Sequence, residues 1–361
     1  MQKVTERVLP GVGSAWAAAQ TLAGVVLPTS GLITEMRIRA NMTATLTATA
    51  VADSTRRALD GLYVGGAGKN FLGLTGNIDM GTLLSLLNWA DYGVSGLGAN
   101  TDVGSTSFNQ SFIYHPGSRK EDRFDMSVVI PARKMVGQLQ ALINAPAAAV
   151  TDPSGSITAG TYYIEIDHVK DVLITNRMKM PAGFCQVLHP ASNMTTFPGL
   201  QVQVPIGFWL RRIAILALDQ TAVTPLRNDT LITGVQITKP KVPQTLIETN
   251  WEDLKYSTCR KYGIPGDFED QTLMALAPTL IYGRTAFNGS LHHPAGFGII
   301  DFRDYIDPSN NPMGSVYGAD LRTFTPGDVM LNLTNANFNT SQSFIIFWDL
   351  IADMDPAFIE G

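Results

Sequence analysis

The sequence predicts a mainly β chain folded as two tandem β-sandwiches, with a few short helices. Three observations predict it. One long stretch alternates strictly between apolar and polar residues, many shorter apolar runs are separated by turn residues, and scarce motifs of the first half recur in the second.

The alternation runs from Glu35 to Ala50. Even positions carry Met36, Ile38, Ala40, Met42, Ala44, Leu46, Ala48 and Ala50. Odd positions carry Glu35, Arg37, Arg39, Asn41, Thr43, Thr45, Thr47 and Thr49. A period of two places one set on a buried face and the other on a polar one, whereas a helix would scatter both around its circumference. The span suits one extended strand or two strands joined by a bend near Ala40-Asn41.

Further strands follow. Phe124, Met126, Val128 and Ile130 alternate before Pro131, and Tyr162, Ile164 and Ile166 alternate with Tyr163, Glu165 and Asp167. Residues 208–218 are apolar on both faces apart from Arg211-Arg212, as in a strand between two layers. Residues 231–239, 279–282, 329–333 and 343–351 complete the set. Turn pairs such as Asp60-Gly61, Asn288-Gly289 and Pro326-Gly327 fall between them.

Helices are few. Asp79 can cap a helix carrying Met80, Leu83, Leu84, Leu87 and Ala90, and another is expected over 133–144, with Met135, Val136, Leu139, Leu142 and Ile143 on one side. A third starts after Thr249 or Asn250 and carries Trp251, Leu254 and Tyr262. A fourth, short and apolar, is expected after Ser14, lined by Trp16, Ala19, Leu22, Ala23 and Val26. Residues 14–27 are too short to span a bilayer as a helix, and Pro10, Gly11, Gly13 and Glu6 argue against a signal peptide. Such a helix docks on its own domain, on a neighbouring subunit or on a membrane.

At 361 residues the chain has room for two domains. Asn88-Trp89-Ala90-Asp91 recurs as Asn250-Trp251-Glu252-Asp253, and His115-Pro116-Gly117 as His293-Pro294-Ala295-Gly296. With Trp present only five times, the first match carries weight for two copies of one β domain. The expected division is an arm over 1–28, a first sandwich over 29–185 and a second over 195–361.

Charged residues make up only 16% against a hydrophobic share of 45%, where soluble domains average roughly 25% charged. Much of the surface is therefore uncharged or hidden in subunit contacts. The net charge is -5 and no block of like charges occurs, so there is no basic arm for nucleic acid. Cys185 and Cys259 are isolated, which points to plain thiols rather than a disulfide framework.

No chemistry stands out. Five scattered histidines, with His292-His293 adjacent, give no metal-ligand spacing and no H-x-H pair. Residues 65–70 (Gly-Gly-Ala-Gly-Lys-Asn) lack the first glycine and the Ser/Thr of a phosphate loop, and read as a turn. Glu165 with Asp167, and Asp301 with Asp304 and Asp307, are carboxylates that one strand face or loop could gather, the latter with Asn310 for calcium. The EF-hand pattern is absent. The expectation is no catalytic, cofactor or metal site.

The two β halves, the helix after the early strands of each (Asp79 to Tyr92, Trp251 to Tyr262), the apolar stretch near the start and the Gly/Asn-rich segments 92–110 and 307–327 together make the chain similar to a known family. It resembles the double jelly-roll major capsid proteins of the adenovirus-like lineage, found in tailless phages and archaeal viruses with internal membranes. The resemblance spans nearly the whole chain and lies in architecture rather than in a diagnostic motif. It implies two tandem jelly rolls with an N-terminal helix, three copies forming a pseudo-hexagonal capsomer of an icosahedral virion, and long loops facing outward. It implies residence in the capsid shell after synthesis in the host cytoplasm. Residues 1–28 would face minor capsid or penton proteins or an internal membrane, with no direct contact to nucleic acid and no enzymatic activity. The competing expectations are a tandem β-sandwich that binds or cleaves carbohydrate, which calls for exposed aromatic side chains and facing acids, and another viral component such as a spike or penton.

Overall fold

The computed structural model describes residues 2–9, 15–16, 21–22, 24–46, 54–73, 79–92, 104–117, 126–135, 139–145, 156–190, 194–219, 226–262, 295–303, 317–335 and 342–360. They form two compact units. The first holds residues 2–183 and 353–360, the second residues within 184–352.

The first unit contains β1 (Gln2–Val8), β2 (Val25–Val26), β3 (Leu32–Leu46), β4 (Gly61–Gly66), β5 (Lys69–Gly73), α1 (Met80–Tyr92), β6 (Gly104–Tyr114), β7 (Gln140–Asn144), β8 (Ser156–Lys170) and the short β9 (Lys179–Pro181). Its strands run in the orders β1-β8-β3-β6 and β2-β7-β4-β5. The second unit contains β10 (Gly183–Leu188), β11 (Leu200–Gln203), β12 (Trp209–Asp219), the short β13 (Leu226–Arg227), β14 (Gly234–Lys239), β15 (Gln244–Asn250), α2 (Trp251–Tyr262), β16 (Phe297–Asp301), the short β17 (Ala319–Asp320), β18 (Met330–Thr334) and β19 (Gln342–Asp353). Its orders are β10-β19-β12-β16 and β11-β18-β14-β15. Setting aside β9, β13 and β17, the two units have one topology. Eight antiparallel strands make two four-stranded arrays, and the helix lies between the fifth and sixth strands. In each unit the last strand sits between the first and the third, which is the strand order of a jelly roll.

The residue pattern explains the layers. On β3, Met36, Ile38, Ala40, Met42 and Ala44 are all within 2% exposure, while Arg37, Arg39 and Thr43 are half-buried. As far as Leu46 the alternation is therefore part of one 15-residue strand without a break at Ala40-Asn41, and its last residues, 47–50, lie outside the described residues. It pairs with β6 from Met36 to Leu46 and with β8 on its other side. β12 and β19 are buried on both faces, with Ile213, Leu216, Phe344 and Trp348 at 0%. Fully burying such a side chain contributes roughly 1.5–3 kcal/mol.

α1 is buried along its length, so it needs no polar face. α2 is capped by Asn250, whose Oδ1 accepts from the Asp253 amide at 2.7 Å while its Nδ2 donates to the Asp253 carboxylate at 2.6 Å. The first bond is the N-cap bond to the third helical amide, and the second joins the two side chains. Glu252 and Asp253 in its first turn and Arg260 and Lys261 in its last oppose the helix dipole. The glycine-rich 65–70 segment is the β4–β5 hairpin. Ala67 (φ 50°) and Gly68 (φ 74°) both take left-handed backbone, the conformation that matches strand twist in a two-residue turn.

Three expectations need correction. Residues 14–27 do not form the expected helix where they are described. Ala15 and Thr21 make isolated bridges to Thr161 and Asn144, and Val25–Val26 is β2. The backbone bonds from Trp16 to Gly160, from Leu22 to Ile143 and from Leu27 to Leu139 satisfy amides that a helix would have turned inward. Trp16, Leu22 and Val25 are buried, and Trp16 lies edge-on to Tyr162 at 5.8 Å. Together with β1 on the edge of β8, this joins the described residues of 1–28 to the first sandwich. The helix over 133–144 is instead a 3-10 turn, Ala132–Lys134, followed by β7, because Ala141 and Ile143 turn inward at a period of two. The strand over 124–130 reduces, in its described part, to bridges at Val128 and Ile130.

Other expectations stand differently. Segment 279–282 and the turn 288–289 lie outside the described residues. The Asn-Trp-x-Asp repeat is not structurally equivalent, since Asn88-Trp89 lies late in α1 and Asn250-Trp251 opens α2. The duplication is carried by strand order.

Gly81 in α1 tests the packing. A Cβ there would lie 1.8 Å from the Arg56 carbonyl oxygen and 2.6 Å from the Phe112 ring. Gly81→Ala should cost roughly 1–3 kcal/mol by overpacking, read as a lower urea midpoint for unfolding. An unchanged midpoint would refute the close packing of α1.

Candidate functional site

Charged side chains in both units are gathered into networks. In the first unit, Asp167 of β8 is 4% exposed. It accepts from Thr5 Oγ1 at 2.7 Å and Arg37 Nη2 at 2.6 Å, and pairs with Lys3 Nζ at 2.9 Å. Burial works to raise its pKa, but the Thr5 and Lys3 hydrogen bonds and the Arg37 charge prevail and lower it. Glu165, two residues earlier on the same face, pairs with Arg39 at 3.1 Å and Arg37 at 3.5 Å. Glu35 lies directly across from Asp167, and burial raises its carboxyl, with Arg37 opposing. The strand does place Glu165 and Asp167 together, as its period requires. Both are neutralised by guanidinium groups, so neither is poised as an acid or a nucleophile.

The second unit holds a more deeply buried cluster. A register shift between Leu210 and Arg212 in the β12–β19 ladder turns two consecutive arginines toward one carboxylate. Arg211 donates to Asp349 through Nε at 2.9 Å and Nη2 at 2.7 Å, and Arg212 through Nε at 2.6 Å. All three residues are under 5% exposed. This is why Arg211-Arg212 interrupts an otherwise apolar strand. Nearby, Asp301 at the end of β16 receives Tyr262 Oη, Arg303 Nε at 2.9 Å and Lys261 Nζ at 2.9 Å. Burial acts to raise the Asp301 pKa, yet the Arg303 hydrogen bonds and charge hold it well below the usual carboxylate range. The Tyr262 hydroxyl is pushed far up by burial and by Asp301. Asp304, Asp307 and Asn310 lie outside the described residues.

A half-open groove of about 510 Å³ runs between α2, β15 and β16, lined by Leu246, Glu248, Asp253, Ser257, Lys261 and Asp301. Its acids already have partners: Glu248 accepts from Gln236, Asp253 from Asn250, and Asp301 from the cluster above. No acid pair converges across it. All five tryptophans (Trp16, Trp89, Trp209, Trp251 and Trp348) are buried at 6% exposure or less, so none offers a stacking platform for sugar rings. Among the described residues no group of three His, Cys, Asp or Glu is arranged to hold a metal ion, and His292 and His293 lie outside them. Sequence reasoning missed the Asp349 cluster, because Arg211 and Arg212 reach it only across the sheet, and the Asp301 cluster, because Tyr262 and Lys261 join the neighbouring Arg303 there only in the fold.

The strand orders define a β protein of two jelly rolls whose buried charges are paired. No protein-family model matches the chain, and no curated protein matches it in sequence. Solved structures do share its fold. The major capsid protein of STIV is 13% identical with a TM-score of 0.67, covering 98% of this chain and 97% of that one. A chain from the atomic structure of Sulfolobus Turreted Icosahedral Virus is 14% identical with a TM-score of 0.66, covering 98% and 91%. The Faustovirus major capsid protein is 8% identical with a TM-score of 0.51, covering 98% and 90%. The chain thus has the double jelly-roll fold over essentially its full length.

Breaking the buried network has a definite expected cost. Asp349→Asn removes the buried carboxylate that Arg211 and Arg212 share, which should destabilise by roughly 3–5 kcal/mol, measurable as a fall in the denaturation midpoint. The Asp301 and Asp349 carboxyls are both depressed in the folded state. Their contribution is present above the ordinary carboxylate pKa and is lost as pH falls through the depressed values. A neutral effect of Asp349→Asn would contradict the network.

Proposed function

We propose that the protein is a viral major capsid protein, a non-enzymatic subunit that works by self-assembly into the shell of an icosahedral virion. The observation that carries the reading is the duplicated eight-stranded topology. It supplies two near-equivalent rigid blocks per chain, and the same double fold occurs along nearly the full length of capsid proteins. Three copies would present six similar blocks, enough for a pseudo-hexagonal capsomer that tiles a shell.

The charge distribution supports the same reading. Charge is sparse at 16%, and the Asp167 and Asp349 carboxylates of the ion pairs are buried, which leaves surface to be covered by other subunits. Specific contacts of that kind usually bury roughly 1,200–2,000 Å². The virion shell is then the site of function, with host cytoplasm before assembly. Minor capsid or penton proteins are further partners that the role implies. A membrane contact by 1–28, expected of an apolar helix, loses its basis where Trp16, Leu22 and Val25 face their own sandwich. The carbohydrate reading is disfavoured by the buried tryptophans and the neutralised acids.

Size-exclusion chromatography with light scattering tests the proposal. The expected species is a trimer near 117 kDa (3 × 39.0) that associates further. A stable 39.0 kDa monomer across concentrations would overturn it.

A further inference from the structure

The first strand is attached in an unusual way. Among the described residues β1 has β8 as its only strand neighbour, pairing residue for residue from Gln2–Lys170 to Val8–Ile164. Its side chains are exposed except for the half-buried Val4 and Val8, so apolar burial contributes little to holding it. Polar contacts dominate instead. Thr5 and Lys3 together occupy both oxygens of Asp167, at 2.7 and 2.9 Å. Arg7 lies 3.5 Å from the centre of the Tyr163 ring. On the opposite face of β8, His168 is 0% exposed directly across from Val4. Its Nδ1 faces Ser30 Oγ at 3.3 Å. Its Nε2 has no hydrogen-bond partner among the described residues, and the Glu6 carboxylate of β1 lies 3.6 Å from it.

We propose that β1 is an acid-released strap, clasped to β8 by Asp167 at neutral pH and loosened when the buried His168 imidazole takes up a proton. The groups facing His168 set the sign. Burial disfavours the imidazolium first, and Lys170 on the same strand adds to this, while Glu6 from β1 and Asp167 oppose it. The net effect is a lowered pKa. From β3 its register neighbour is the apolar Ile33, and Ser30 before that strand is neutral. With β1 lifted, the imidazole at the bared edge regains water and protonates more readily. Linkage therefore favours the open state as pH falls below the ordinary histidine pKa of about 6.5. Asp167 acts with the same sign at lower pH, since its lowered carboxyl is stabilised by Lys3 and Thr5 of the strap. Glu35 follows, because Lys3 is one of the charges that restrain its raised pKa.

Hydrogen exchange read by mass spectrometry, expressed as protection factors, tests this on the full chain. Between about pH 7.5 and pH 5, protection of residues 2–8 should fall about threefold or more while that of β12 stays constant. In His168→Gln, which cannot take the charge, residues 2–8 should show no such fall. Lys3→Met should lower their protection at neutral pH and leave the dependence on pH in place. Constant protection of residues 2–8 in the native chain, a fall matched by β12, or an undiminished fall in His168→Gln would each overturn the proposal. Should His168→Gln fail to fold, the comparison of β1 with β12 in the native chain still decides it.

Discussion

Each sandwich depends on its last strand being inserted between two early ones. β8 pairs with β1 on one side and β3 on the other, and β19 does the same between β10 and β12. These pairings join residues more than a hundred positions apart, so most of a unit must be synthesised and collapsed before its sheet can close. Such non-local pairing makes folding slow, since loop-closure entropy is lost before contacts compensate it. Once closed, the long strands bury nearly every residue of β12 and β19, and they are where the rigidity of the block resides.

The few charges of the chain are placed with that closure in mind. Asp167 and Asp349 both lie on the inserted last strand, and each is gripped by arginines of the early strand beside it: Arg37 on β3, and Arg211 and Arg212 on β12. A one-residue slip of either strand would bury an unpaired charge, at a cost of several kcal/mol. We read these pairs as register markers. They specify which edge meets which, in sheets whose apolar residues alone would tolerate other alignments.

Much of this was legible from local patterns. The period-two run beginning at Glu35 gave β3 and its buried face, the doubly apolar run at 208–218 gave β12, and the Asp79 and Asn250 signals gave both helices. What misled was composition without period. The alanine-rich stretch after Ser14 and the apolar 133–144 segment favour helix by propensity, yet β7 and β8 offer the first stretch better backbone partners and β4 offers them to the second. β1, polar and short, carries no apolar signal because an edge strand need bury almost nothing. The salt-bridge clusters were invisible for a different reason: Arg211 and Arg212 meet Asp349 only across the sheet, and although Arg303 is two residues from Asp301, no local pattern shows that Lys261 and Tyr262 join them.

The central claim is that two copies of one rigid block per chain are used to make six near-equivalent positions from three chains. Electron microscopy of the purified oligomer, averaged down its symmetry axis, tests this most directly. The account predicts a trimer whose projection shows six similar lobes. A projection with three lobes only, or a particle containing one isolated chain, would contradict it.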